Sequence, residues 1–399
     1  MALAFPSDWT RFPAAWFGAN ATHFEDGAQI QSIGRYSLAI FGWQHLIFMT
    51  NWTAAIYAQL NQAAILKARI PTLPVYVYTG FGNANGYNAA TWEIISSASR
   101  GCPGHQPCRK VAKPYTDWVL ETDSVPVYSM AACEQMGLGY TNPPTERCWN
   151  PIWNVANASM RNFFVERIVR PLAATPFVDG IFFDCFDQSY TLPSPWGRHA
   201  RNIENCSAAG GAGCEALVEG AIDLARRVTL ALNAEGKAPM FSNVGTFTRP
   251  KRPSSPWLDE ARLLTALKGM QFQFNYERVR AEALASSGQL ANMLEESRRR
   301  VPVGFHVYLR DKHEDPAPHV AAFLLLRQAG WYFFASTGWL DKDWHYSTFY
   351  DTVAVCGRPR EEPRGDPAPL RYARTYEGCS VLLDCTNTSK DGCVASITI

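Results

Sequence analysis

Asp179, Asp184 and Asp187 interrupt the run VDGIFFDCFDQS (residues 178 to 189), whose remaining positions are largely Val, Ile, Phe and Cys. An ionised carboxylate withdrawn from water without a partner is strongly disfavoured or is driven towards its neutral form, so a buried strand must have a reason to carry one. Strand alternation separates the three, because residues two apart share a face. Asp179 opens the strand and is read as architectural. Asp187 lies past the strand, where it either contacts substrate or caps a turn. Asp184 ends the strand on the face of Gly180 and Phe182, the place where a carboxylate can do chemistry.

Two further runs carry polar residues at the same two-residue spacing. Gln271, Gln273, Asn275 and Glu277 alternate with Phe272, Phe274 and Tyr276, and Gly304, His306, Tyr308 and Arg310 alternate with Val303, Phe305, Val307 and Leu309. A parallel strand is buried on both faces, so the apolar sets are expected against helices and the polar sets towards a shared interior. There, a carboxylate near Gln273, Asn275 and His306 would be held ionised by hydrogen bonds, whereas one against aromatic rings would keep its proton more easily. Cys185 as a thiol nucleophile needs a base, and alternation turns it away from His306. A metal site built from Asp184, Asp187 and His306 lacks any HxH or HExxH spacing.

The elements that must position these residues read as strands at 35–43, 73–80, 124–130, 178–186, 238–247, 269–277, 302–310 and 330–338. Helical patterns separate them, including TAAIYAQLNQAAILKAR, MRNFFVERIVRPLAA, CEALVEGAIDLARRVTLALNAEG, WLDEARLLTALKG, AEALASSGQLANMLEESRRR and PHVAAFLLLRQAG. Alternating strands and helices imply parallel pairing through right-handed crossovers, and this number of strands is that of a (β/α)8 TIM barrel. A doubly wound open sheet is the second choice, but TGFGNANGY lacks the GxGxxG spacing. The expected organisation is a barrel over 1–345 with cysteine-bearing loop insertions, followed by a small β-rich extension over 346–399. In barrels of this kind the active site is built at the carboxyl ends of the strands, which is where Asp184 and Glu277 fall.

Composition narrows the class. The 399-residue chain is 47% hydrophobic, 18% charged and 13% aromatic, with a net charge of +1. It has no basic block for nucleic acid and no apolar run long enough to span a membrane. The 11 cysteines include no CxxC pair, and most are spaced as local clasps: Cys102 with Cys108, Cys133 with Cys148, Cys206 with Cys214 and Cys385 with Cys393. Cys356 and Cys379 are left for each other and Cys185 stands alone. Together with Asn-x-Ser/Thr sequons at Asn20, Asn51, Asn157, Asn205 and Asn387, this suggests an oxidising, secretory location. The amino-terminal MALAFPSDWTRF has no apolar core of a signal peptide, which is read as a leader already removed.

Three segments resemble the TIM-barrel glycoside hydrolases, in particular loosely characterised glycoside-hydrolase-like barrels with a DGIFFD-type fourth strand. They are NASMRNFFVERIVRPLAATPFVDGIFFD (157–184), the sixth strand ending in NYE (275–277), and RTYEGCSVLLDCTN (374–387). The resemblance covers the chain from residue 157 onward; before that only the order of elements agrees. It implies hydrolysis, or transglycosylation, of a poly- or oligosaccharide by two carboxyl groups, with no cofactor. Several relatives place the nucleophile at the end of the fourth strand and the acid/base at the end of the fifth or sixth. MFSNVGTF carries no carboxylate, so the resemblance makes Asp184 the nucleophile or charge stabiliser and Glu277 the general acid/base. Side chains at those two ends are expected within the roughly 5 to 10 Å that retaining and inverting geometries span. Where some relatives have a Lys two positions before this Asp, the chain has Phe182.

Sugar rings stack on aromatics, so Trp43, placed at the end of the first strand, and Trp339, after the eighth, are candidate platforms. Asp187, Gln273, Asn275 and His306 are candidate substrate contacts, and Tyr308 and Arg310 are candidate partners for hydroxyls or an acidic sugar group. A carbohydrate-binding barrel without catalysis, and less favourably the metal-dependent hydrolase, are the alternatives.

Overall fold

Four- to seven-residue runs rich in Val, Ile, Phe, Tyr and Ala form strands here because each is covered on both faces, and the sheet they make closes on itself. The computed structural model describes residues 9–18, 27–42, 55–84, 88–96, 110–111, 115–122, 125–126, 152–186, 212–242, 260–279, 294, 297–298, 301–338, 344–366, 370–386 and 393–399. Its barrel strands are β1 (Ala14–Gly18), β2 (Leu38–Phe41), β3 (Val75–Gly80), β4 (Gly180–Asp184), β5 (Ala238–Ser242), β6 (Gln273–Val279), β7 (Val303–Tyr308) and β8 (Tyr332–Ser336). They are hydrogen-bonded in the order β1-β8-β7-β6-β5-β4-β3-β2 and close, with every pairing parallel. This is the (β/α)8 barrel expected from the alternation.

The strand assignment is corrected at the amino-terminal side. The first barrel strand is AAWFG, so RYSLAIFGW holds the second and LPVYVYTG the third. The described part of the run at 124–130 is no barrel strand: Val125–Pro126 pairs antiparallel with Glu121–Thr122 in a two-residue ribbon. One omission and one false inclusion offset each other, which is why the fourth to eighth strands keep their numbers. AAWFG is short, apolar throughout and without alternation, so nothing in it separates a strand from a buried turn of helix.

Helices α1 (Gly27–Ile33) and α2 (Ala55–Arg69) follow β1 and β2. Helix α3 (Ala158–Phe163) runs through a π-helical Phe164–Val169 into Arg170–Ala173, and precedes β4. Helix α4 (Ala212–Ala234) ends before Gly236, whose φ of 69° supplies a left-handed stop. Helices α5 (Glu260–Ala266) and α6 (Ala317–Leu326) precede β6 and β8, and α7 (Phe349–Val353) follows the barrel. Among the described residues, no helix is long and apolar enough to cross a membrane.

Asp179 has the architectural role read for it. Its Oδ2 accepts the Val75 amide at 2.7 Å and lies 3.0 Å from Lys67 Nζ. Lys67 in turn donates to the carbonyls of Pro71 and Leu73 at 3.0 and 3.1 Å. The start of β4 is thereby tied to the start of β3 and the end of α2. Burial, with the Asp179 carboxylate adding to it, pushes the Tyr76 phenol well above its ordinary value. Burial likewise lowers the Lys237 ammonium, with Asp179 and Glu235 opposing.

Asn157, one of the sequon residues, is the amino-terminal cap of α3. Its Oδ1 accepts the Met160 amide at 3.0 Å, and its Nδ2, the atom a glycan would occupy, donates to Asp117 Oδ2 at 2.7 Å. The remaining sequon asparagines lie outside the described residues.

After the barrel, β9 (Arg364–Asp366), β10 (Arg371–Thr375), β11 (Ser380–Asp384) and β12 (Val394–Thr398) form an antiparallel sheet in that order. Disulfides join Cys356 to Cys379 and Cys385 to Cys393, as spaced; the cysteines expected to form the other clasps lie outside the described side chains. Helix α6 is buried on every side from His319 to Leu326, because the sheet covers the face that the barrel leaves. A helix apolar all round requires that arrangement. The junction is polar at one point. Buried Arg374 donates through Nη1 to the carbonyls of Leu324, Leu325 and Arg327 at 3.2, 3.1 and 2.7 Å, and the Tyr376 hydroxyl also donates to Leu324 O. A cation thus satisfies the carbonyls that end α6 and meets the negative end of its dipole. A Cβ on Gly378 would lie 2.1 Å from the Val355 carbonyl oxygen, so the Arg-Thr-Tyr-Glu-Gly spacing of the tail is a docking motif. Arg374→Met is expected to cost about 2 to 4 kcal/mol by leaving several buried acceptors unmet, measured as a lowered midpoint in urea with the barrel's circular dichroism retained; an unchanged midpoint would remove the docking role.

Candidate functional site

In parallel pairing, residues in register point the same way, so the ladder itself says which side chains fill the axis. Phe17 is level with Ile40, and Ile40 with Tyr76; Tyr76 and Tyr78 are level with Gly180 and Phe182, and Gly80 with Asp184. The series continues through Ala238 and Met240, Gln273 and Asn275, Gly304, His306 and Tyr308, to Tyr332, Phe334 and Ser336. β6 and β7 therefore hold the amides, the His and the Tyr on one side of the axis. The inward residues of the other six strands are mostly aromatic and aliphatic.

Asp184 closes β4 at its carboxyl end. The next residue, Cys185, has φ 59°, a left-handed conformation that costs a non-glycine residue about 1 kcal/mol or more. That turn ends the strand and lets the Cys185 amide donate to Asp184 Oδ1 at 2.7 Å. The other oxygen, Oδ2, accepts the Tyr78 hydroxyl at 2.5 Å. Tyr78 lies flat against Phe182, with centroids 5.9 Å apart, and Phe17 meets both rings edge-on at 6.3 and 5.0 Å. The carboxylate is therefore carried on a packed aromatic floor, with the Tyr78 hydroxyl and the Cys185 amide among its donors.

On the polar side, buried His306 has Nε2 2.9 Å from Ser336 Oγ. Its ring is stacked on Trp344 at 5.4 Å and lies 4.9 Å from Tyr308. Trp344 comes from the chain after β8, bridges Ser336, and touches Phe17 at 5.9 Å and Phe334 at 6.3 Å. It thus joins the His306 side of the axis to the Phe17–Tyr78 side. Asn275 donates to Ser242 Oγ at 3.2 Å, while its Oδ1 is buried without a hydrogen-bond partner; Gln273 donates to the Gly330 carbonyl at 3.2 Å, and its Oε1 is likewise buried and unpaired. Unmet acceptors inside a packed axis are costly, about 1 to 3 kcal/mol each, and could be met by donors on a ligand.

The remaining sequence candidates fall as follows. Glu277 lies in β6 at a register shift between Tyr276 and Val279, where the strand has one residue more than β7 between matched positions; its side chain lies outside the description. Trp43, Asp187 and Trp339 lie outside the described residues, and Trp43 follows β2, not the first strand. Arg310 is not on the inward face: β7 ends at Tyr308, and Arg310 is exposed, with Nε 3.4 Å from Glu314 Oε1. The alternation was carried two residues too far. Sequence reading missed Phe17, Tyr78, Ser242, Ser336 and the contact role of Trp344. Tyr78 was findable, since VYVYTG alternates and places it level with Phe182; Phe17 was lost with β1, and Trp344 sits in a loop with no periodicity to read. Among the described residues, no group of three or more His, Cys, Asp or Glu side chains could hold a metal ion.

Gly304 makes room for this arrangement. A Cβ there would lie 2.6 Å from Asn275 Oδ1 and 2.8 Å from the Phe334 ring. Gly304→Ala is expected to destabilise the fold by about 1 to 3 kcal/mol through overpacking, read as a fall in the denaturation midpoint; a neutral change would mean that Asn275 and Phe334 are not fixed in the axis.

No family model matches the chain, and no curated protein does. Solved structures are similar to it at low identity. An Anoxybacillus alpha-amylase is 10% identical over 98% of this chain and 96% of that chain, with a TM-score of 0.47. The alpha-galactosidase TtGalA from Thermus thermophilus is 14% identical over 94% of this chain, with a TM-score of 0.44, and the present chain spans 66% of its length. A D-allulose 3-epimerase from Methylomonas sp. is 11% identical over 84% and 86%, with a TM-score of 0.38.

Proposed function

We propose that the protein is a glycosidase, hydrolysing or transferring O-glycosyl bonds of an oligo- or polysaccharide, with Asp184 as nucleophile or charge stabiliser and Glu277 as general acid/base. The observation that carries this reading is the Asp184 carboxylate itself. It stands at the carboxyl end of β4, takes hydrogen bonds from Tyr78 and from the Cys185 amide, and shares its inward face with a polar wall from β6 and β7. An ionised carboxylate so held can stabilise, or bond to, the cation-like anomeric carbon of a glycosidic transition state. A second carboxyl group must donate the proton to the leaving oxygen, and Glu277 is the carboxyl residue that the β6 ladder carries to the same end. The bulge at this position supports the role, since extra residues at barrel rims commonly re-aim a side chain next to an active site.

Aromatic rings and unmet amide acceptors around the axis fit a ligand with C–H faces and many hydroxyl donors. Tyr308, on the inward face, and Arg310, two residues past the end of β7, are the proposed partners for hydroxyls or an acidic sugar group. The two disulfides support an oxidising compartment.

Asp184→Asn and Glu277→Gln are each expected to lower hydrolysis of a chromogenic aryl glycoside by about 10³-fold or more, with the circular dichroism spectrum unchanged. Full activity in either folded variant would exclude that residue. Glycan affinity without turnover, surviving both substitutions, would instead identify a binding barrel.

A further inference from the structure

The Asp184 carboxylate accepts a phenol hydroxyl on one oxygen and a backbone amide on the other. We propose that Tyr78 is its positioning residue, and that the phenol hydroxyl on Oδ2 sets both the rotamer and the ionised state of the group. The inference rests on the assignment of Asp184 above for its catalytic meaning, and on geometry for everything else.

The hydroxyl lies 2.5 Å from Oδ2, in the range of a charge-assisted O–H to carboxylate bond. The donor is not mobile: Tyr78 is 5% exposed and its ring is wedged between Phe182 and Phe17. β3 and β4 are direct neighbours in register, with Tyr78 level with Phe182 and two residues before Asp184's own partner, Gly80. Gly80 presents no side chain beside Asp184, so the tyrosine one step down the ladder can reach up to the carboxylate. The Cys185 amide occupies the other oxygen, so both are engaged and the group cannot rotate about its terminal bond without breaking a hydrogen bond. A phenol donor stabilises the anion by a hydrogen bond to the charged form.

Among the described residues, the titratable groups on the inward faces of the barrel besides Asp184 are Tyr76 and Tyr78 on β3, His306 and Tyr308 on β7 and Tyr332 on β8, with Cys185 next along the chain. β5 contributes Ser242, and β6 contributes Gln273 and Asn275. Burial holds the Tyr76 and Tyr332 phenols neutral through the ordinary pH range, so neither competes for the Asp184 charge there.

Tyr78→Phe retains the ring and removes only the donor. The experiment follows the Asp184 carboxyl carbon by NMR through a pH titration of the full chain, with the resonance assigned by its loss in Asp184→Asn. The midpoint is expected to move upward in Tyr78→Phe, with melting behaviour close to that of the wild type. In parallel, kcat on whichever p-nitrophenyl glycoside the wild type cleaves should fall about 10- to 100-fold, as loss of a hydrogen bond to a charged group does, with KM little changed and the acid limb of the profile displaced upward. An unmoved midpoint overturns the role of Tyr78 whatever the enzyme does. A displaced midpoint in a protein that cleaves no glycoside keeps Tyr78 as the holder of Asp184 and sinks the glycosidase reading instead.

Discussion

Closure of eight parallel strands imposes one parity on the whole barrel, and the rest of the molecule depends on it. Once the ring is hydrogen-bonded, no strand can slip by a residue without turning its entire inward set outward. The register makes Tyr78, Phe182, Met240, Asn275, His306 and Phe334 inward residues together. Their volumes then have to fit: Gly180 accommodates the Tyr76 ring and Gly304 the Asn275 amide and Phe334. The axis is a packed core in which polar groups are placed between rings, and this is why so few donors and acceptors decide its chemistry.

The two ends of β4 show how one strand carries two carboxylates with different duties. Asp179 is met by a cation, Lys67, and by the Val75 amide, and it anchors three elements. Asp184 is met by a neutral phenol and an amide, with aromatic rings beneath. The difference is set by neighbours on β3 and α2, five residues of strand apart.

Outside the barrel, the burial of α6 creates a second constraint. A helix as apolar as VAAFLLL needs a cover, and the antiparallel sheet supplies one, but the end of a buried helix leaves carbonyls without partners. Arg374 and Tyr376 answer them, and the Cys356–Cys379 disulfide fixes the strand turn that presents both. The tail residues that looked like a family signature are thus explained as parts of one junction.

The sequence by itself determined the element type and the face of each long strand. Alternation in QFQFNYE and VGFHVYLR put Gln273, Asn275, His306 and Tyr308 on the inward side, and the apolar filler of VDGIFFD put Asp179 and Asp184 at opposite ends of a buried strand. Those properties are local, fixed by the two-residue period of a strand. Tertiary structure decided what periodicity cannot carry. It made AAWFG a strand by giving it two neighbours, stopped β7 before Arg310 and put a bulge at Glu277. It also brought Tyr78 against Asp184 and laid Trp344 over His306. Each of these depends on a contact between segments distant in the chain, and a single run of residues holds no record of which partner will complete it.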